Sequence, residues 1–226
     1  MREIPLMNKR CGQKLLSYFH QRDFSMTIIL RIEEENDFKE TEYLTREAFW
    51  DKYKPGCDEH VIVHKLRSST GFIKELDYVA CDGNKIIGNI MYSKSKVTNG
   101  KIVNEELICL GPVSVLPEYQ KKGIGSLLIK KTIEKAKELN YKGIFLYGNP
   151  QYYSKFGFIN AEKYNLQTSE GLNGDYFMVL ELSVDGLAGI YGKCIEDPAF
   201  RVSQEELIEF EKQFPYKEKH VNDTQL

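Results

Sequence analysis

The chain has 226 residues, 42% of them hydrophobic and 28% charged, which suits one large domain or one domain with appended segments. Its net charge is −2, from 31 Lys+Arg against 33 Asp+Glu, so no overall field selects nucleic acid or an anionic membrane as partner. Five cysteines (Cys11, Cys57, Cys81, Cys109, Cys194) are scattered and never spaced CxxC, which argues against a disulfide framework or zinc ribbon and for a reducing, cytoplasmic setting.

No apolar run approaches the roughly 20 residues of a membrane helix, and Lys9–Lys14 interrupts any signal-peptide core. Residues 1–25 are weakly periodic and are expected to be an N-terminal extension. Met26–Ile32 (MTIILRI) is a clean first strand, with Met26 a candidate start of the domain. Asp37 and Glu40 have the spacing of a capping box for a helix carrying Leu44, Ala48 and Phe49 on one side, broken at Pro55-Gly56. Asp58 is placed to cap a second helix through about Arg67, on which His60 and His64 are expected at the surface. Without an HExxH motif these histidines and Cys57 give no metal site. Trp50 and Phe49 are expected in the core.

Strands at Leu76–Cys81 and Ile86–Tyr92 flank the hairpin turn Asp82–Lys85. A second turn, Thr98–Lys101, leads into a long strand ending at Val113-Ser114-Val115. An amphipathic helix over about Ile124–Leu139 buries Leu128, Ile129, Ile133, Ala136 and Leu139. Gly143–Tyr147 (GIFLY) is a buried strand, and Asn149-Pro150 opens a short helix ending at Gly157. Phe158-Ile159 and Tyr176–Leu182 supply the last strands. The domain is therefore expected over 26–183. Residues 184–226 form a separate C-terminal segment, with a helix opened by a Ser203/Glu206 capping box and a frayed charged tail from Lys217. The fold class is α/β: one mixed sheet with helices on both faces.

The informative stretch is Val113-Ser-Val-Leu-Pro-Glu-Tyr-Gln-Lys-Lys-Gly-Ile-Gly-Ser126, a strand running through a two-glycine turn directly into a helix. Amides at a helix N-terminus carry partial positive charge and bind phosphates. Gly123 and Gly125 let the backbone approach a pyrophosphate, Gln120 offers a side-chain donor, and Lys121 and Lys122 add charge. A P-loop places its Lys after the glycines, and a dinucleotide fold needs a third glycine, so neither motif is met.

This stretch resembles the acyl-CoA signature of the GNAT superfamily of N-acetyltransferases, Gln/Arg-x-x-Gly-x-Gly/Ala after a strand. It stands here as Gln120-Lys-Lys-Gly123-Ile-Gly125. Downstream, Tyr152-Tyr153-Ser-Lys-Phe-Gly157-Phe158 is similar to the family's FYxKxGF pattern, and the resemblance covers roughly Met26–Ser183. It implies a GNAT-type, mostly antiparallel sheet with a V-shaped gap between the strand ending at Val115 and the strand Gly143–Tyr147.

The resemblance further implies acetyl-CoA as co-substrate. Val113, Ser114 and Val115 would lie along the pantetheine arm, Gln120, Lys121, Lys122, Gly123, Ile124, Gly125 and Ser126 would hold the pyrophosphate, and Asn149 would join the coenzyme site. Tyr153 matches the family's general acid, with Tyr152 behind it. Some relatives carry Glu as base where Cys109 stands here. Glu105 and Glu106 are nearby alternatives, and an amine of low pKa needs no base, so that role stays open. Phe72, Leu76 and Tyr78 are candidates either for the amine pocket or for the core. The implied activity is acetyl transfer to a primary amine, the alternative a non-catalytic acyl-CoA sensor. The partners are acetyl-CoA and the amine, with no metal, nucleic acid or membrane, and with assembly as a homodimer left open.

Overall fold

A computed structural model describes residues 27–223 and 225; the expected extension over 1–25 and the start at Met26 lie outside the described residues. In chain order come β1 (Ile28–Ile32), α1 (Phe38–Phe49), α2 (Glu59–Arg67), β2 (Tyr78–Asp82) and β3 (Lys85–Lys94). Next are β4 (Lys96–Thr98), β5 (Val103–Asn104), β6 (Leu107–Val115), α3 (Ile124–Glu138), β7 (Gly143–Tyr147) and α4 (Pro150–Tyr153). The last elements are β8 (Ile159–Asn160), β9 (Leu166–Gln167), β10 (Phe177–Glu181), β11 (Gly192–Ile195) and α5 (Gln204–Glu211).

Seven strands form the main sheet in the order β1-β2-β3-β6-β7-β10-β8, antiparallel at every pairing except β6–β7. Helices cover both faces. Side chains alternate along β6, so Ser114 turns to Thr45 of α1 while Val113 and Val115 turn toward the first turn of α3. Gly88 on β3 allows α3 to sit close, since a Cβ there would lie 3.1 Å from both Ile124 and Leu128 side chains.

Several local expectations are overturned by tertiary partners. Asp37 and Glu40 form no capping box. The Asp37 carboxylate accepts from Glu34 N–H (2.9 Å) and pairs with Arg31, while Glu40 accepts from Ile86 N–H (2.9 Å) across the sheet. The buried face of α1 is Thr41, Leu44 and Thr45 rather than Ala48 and Phe49, which are half-buried. Leu76 lies in a 3-10 turn ahead of β2. The strand drawn from Lys101 onward is two pieces, β5 and β6, with β5 in a second sheet of order β5-β4-β11-β9.

That second sheet brings the C-terminal segment onto the domain. The Ser203/Glu206 capping box forms, and α5 packs Leu207 and Phe210 against Val61 of α2. The charged tail is tied down rather than frayed: Trp50 Nε1 donates to Glu218 O (2.9 Å), Lys217 pairs with Glu47 (2.6 Å) and His220 N–H bonds Asp51 (3.1 Å). Trp50 is thus a half-buried platform for the tail, with the Arg46 guanidinium 4.1 Å from its ring.

His60 is not on the surface. It is fully buried, 2.8 Å from Glu211 on α5, with Cys57 Sγ 3.5 Å from Nδ1. Burial lowers its pKa to about 4 against the opposing pull of Glu211. His64 is exposed and bonds Glu42 (2.9 Å).

Candidate active site

The centre of the main sheet is split. β7 pairs with β6 only from Leu107↔Gly143 to Cys109↔Phe145, after which the strands part. A bulge between Ile90 and Tyr92 sets Gly111 and Pro112 against the single residue Met91, and β6 bends away at that point.

The flanking ladders fix which backbone groups face the gap. Leu116 N–H bonds Ile87 O (3.0 Å), so Ser114 pairs toward β3 and the main-chain groups of Val113 and Val115 point away from it. Gly148 N–H bonds Tyr176 O (2.8 Å), so the main chain of Tyr147 likewise points away from β10. Among the described residues the cleft edges therefore offer unpaired peptide groups, those of Val113 and the Val115 N–H on one side and those of Tyr147 on the other. Ser114 is not among them: its main chain serves β3 and its hydroxyl bonds Thr45 (3.0 Å).

Beyond Val115 the chain passes through a short turn into α3. Lys121 (φ 61°) and Gly123 (φ 87°) are left-handed, with Lys122 between them outside that region, an alternation that turns successive amides to one side as a concave anion seat. The first helical bond is Leu127 N–H to Gly123 O (3.0 Å), which leaves the amides of residues 124–126 at the helix mouth. Nothing lies within 4 Å of where a Gly123 side chain would start. Gln120 does not point outward: its Nε2 donates to Val115 O (3.0 Å) and closes the turn. The Ile124 side chain is core, so only its amide belongs to the mouth.

A Cβ on Gly125 would stand 2.9 Å from the Tyr152 hydroxyl, 3.7 Å from Val115 and 3.9 Å from Val113. The Tyr152 phenol thus occupies the corner between the anion seat and the gap. Tyr153 sits behind Gly148, whose missing side chain would lie 2.4 and 2.8 Å from its ring carbons. Burial, helped by the nearby Tyr152 and Tyr53, pushes the Tyr153 phenol well above its ordinary pKa. Its hydroxyl has no hydrogen-bond partner among the described residues. Asn149 caps α4 by accepting from Gln151 N–H (2.9 Å), a structural use of its side-chain oxygen.

Cys109, Glu105 and Glu106 stand in sharply different surroundings. Cys109 is buried, its thiol pushed up by burial and by the neighbouring Glu196. Glu105 is exposed and pairs with Lys96 (3.2 Å), and Glu106 bonds Asn104 (2.7 Å), both before β6 begins and far from its open end. Leu76 and Tyr78 are core, and Phe72 packs beside Met91. Sequence reasoning gave no role to Tyr147, Tyr176 or Glu196, which meet around a cavity beyond β7. The GIFLY strand and its end are visible in the sequence, whereas Glu196, which follows β11, carries no motif.

Residues 74–160 match the family model described as acetyltransferase (GNAT) domain. The chain is 28% identical over 135 residues to the uncharacterized N-acetyltransferase YhbS of Escherichia coli K12, a span of 59% of this chain and 78% of that protein. The crystal structure of E. coli YhbS in complex with CoA superposes with a TM-score of 0.70 at 25% identity, covering 81% of this chain and 98% of the other. A GNAT family acetyltransferase from Brucella melitensis, in complex with acetyl-CoA, gives 0.63 at 26% identity over 78% and 99%. With the split sheet and the helix mouth at its end, these matches identify residues 74–160 as a GNAT acetyltransferase domain.

Proposed function

We propose that this chain is an acyltransferase that moves an acetyl group from acetyl-CoA to a primary amine, which attacks the thioester directly. The observation that carries the reading is the continuity of the gap with the anion seat. The free peptide groups of Val113 and the free N–H of Val115 run straight into the amides of residues 124–126. A pantetheine arm with two amides and a pyrophosphate has the matching order of groups, and the complexes of the two relatives with CoA and acetyl-CoA support that donor.

In this reading Val113 and Val115 hydrogen-bond the arm as a missing strand. Gly123, Gly125, Ser126 and the Ile124 amide face the pyrophosphate, with Lys121 and Lys122 as exposed charges beside it. Gln120 and Asn149 shape the loops that present these groups. Tyr153 protonates the departing thiolate. Its raised pKa keeps the proton available through the alkaline range, and the site must orient the transfer, because a phenol is the weaker acid of the pair.

The test is acetyl transfer from labelled acetyl-CoA across a panel of polyamines, aminoglycosides, amino acids and peptide N-termini, with CoA binding measured alongside. Transfer to an amine with formation of free CoA is expected. Tight CoA binding with no transfer to any amine would instead favour an acyl-CoA sensor.

A further inference from the structure

A cavity of about 380 Å³ opens beyond the end of β7. Its walls include the rings of Tyr147, Tyr176 and Phe200 and the charged side chains of Glu170, Glu196 and Arg201. It lies on the sheet face opposite Tyr153. Tyr147 stacks on Phe177 (5.1 Å) in the cluster holding Phe145 and Cys109, whereas Leu146 and Tyr153 pack in the cluster under α3. Gly148, against which Tyr153 rests, directly follows Tyr147 in the chain. The cavity and the tyrosine therefore approach the open end of the gap from its two sides.

Glu196 stands out within it. Glu170 and Arg201 are exposed at the rim, while Glu196 is half-buried, held by the Tyr147 hydroxyl on one oxygen. Among the described residues no cation pairs with it, and its second oxygen has no hydrogen-bond partner. A carboxylate withdrawn from water among aromatic rings without a counter-ion is costly, and a bound organic cation offsets that cost through both the charge and the ring faces. Glu196, which directly follows β11, also adds to the upward push on the buried Cys109 thiol of β6.

We propose that this cavity is the acceptor subsite, that it takes a compact primary amine, and that Glu196 receives the ammonium and removes one proton from it. The proposal rests on the acetyl-transfer reading above. Glu196 takes one proton, which passes to solvent, and the freed lone pair forms the N–C bond to the acetyl carbon. The C–S bond breaks, and the thiolate takes the Tyr153 proton. The second nitrogen proton, released as the amide forms, returns to the Tyr153 phenolate. The other titratable or charged groups facing Glu196 are Tyr147 on β7, Cys109 on β6, Cys194 on β11, neighbouring Asp197, and Glu170, Tyr176 and Arg201 around the cavity. Burial pushes the first three above their ordinary values, with Glu196 adding to each.

Acetyl transfer to spermidine, tyramine, L-lysine and glycinamide would be followed between about pH 6 and pH 10 in the full chain and in Glu196→Gln, with CoA affinity by calorimetry. The variant is expected to lose roughly 10²- to 10³-fold in kcat/KM at neutral pH, a loss that shrinks as alkali deprotonates the amine, with CoA affinity unchanged. Tyr147→Phe, which keeps the ring but frees Glu196, is expected to shift the same pH profile without abolishing it. Wild-type rates in Glu196→Gln at every pH, a loss independent of pH, or a CoA-binding wild type that acetylates none of the four amines would each overturn the proposal. A wild type that fails to bind CoA would overturn the donor reading instead.

Discussion

Gly123 offers a way to separate backbone strain from charge at the proposed coenzyme seat. Its φ of 87° lies in the left-handed region, and no atom stands within 4 Å of a side chain placed there. Gly123→Ala therefore adds no clash, only the cost of a left-handed non-glycine residue, about 1–2 kcal/mol. In a chain of this length that lowers Tm by roughly 2–8 °C. Gly123→Asp carries similar or smaller strain, because a short polar side chain tolerates the region better, and adds one negative charge at the helix mouth. Two like charges about 4 Å apart repel by about 1–4 kcal/mol between bulk water and a protein surface, or roughly 5- to 10³-fold in Kd. Melting curves would establish that both variants fold, and calorimetry with CoA would compare them. The expected result is near-native affinity in the Ala variant and the full loss in the Asp variant. Equal affinity in two folded variants would place the pyrophosphate elsewhere.

Tyr153→Phe is expected to lower kcat by about 10²- to 10⁴-fold, with acetyl-CoA affinity and Tm nearly unchanged, because the hydroxyl has no partner to lose among the described residues. An unchanged kcat would move suspicion to Tyr152. Gly148→Ala would press a methyl against the Tyr153 ring at 2.4 Å. A loss of about 1–3 kcal/mol in denaturant unfolding, together with a drop in kcat, is expected, and full turnover would show that the ring position is immaterial. His60 has a folded pKa of about 4, below the ordinary value near 6.5, so the unfolded chain binds more protons between them. Its stabilising contribution is complete above about pH 6.5 and is lost as pH falls toward 4, of order 3 kcal/mol in all. Urea unfolding of the wild type should steepen over that window, and His60→Gln should flatten the dependence.

Much of the backbone around the candidate site was legible because it is local. The Asp82–Lys85 hairpin, the GIFLY strand, the Asn149-Pro150 cap and the glycine turn each place their determinants within a few consecutive residues. The missed features depend on partners far along the chain. Glu40 has the spacing of a capping residue, yet the Ile86 amide competes for the same carboxylate. His60 looked like a surface residue because α2 alone leaves it on an open face; α5 closes over that face and brings Glu211. The second sheet joins strands of two to four residues from both halves of the chain, too short for a period-2 pattern. The cavity on the face opposite Tyr153 is lined largely by residues that follow β9 and β11 of that sheet, and no sequence motif marks them.

The split between β6 and β7 reverses the usual order of protection in a sheet. Central strands ordinarily hold the slowest-exchanging amides, and edges fray first. Here the amides of Val113, Val115 and Tyr147, which face the split, occupy the middle of seven strands. They should exchange with solvent deuterium sooner than the amides of β2, which is paired on both sides. A ligand seated along the gap would slow these same amides and raise Tm with its concentration. An amide exchange map would therefore register occupancy at the heart of the fold, where proteins ordinarily change least.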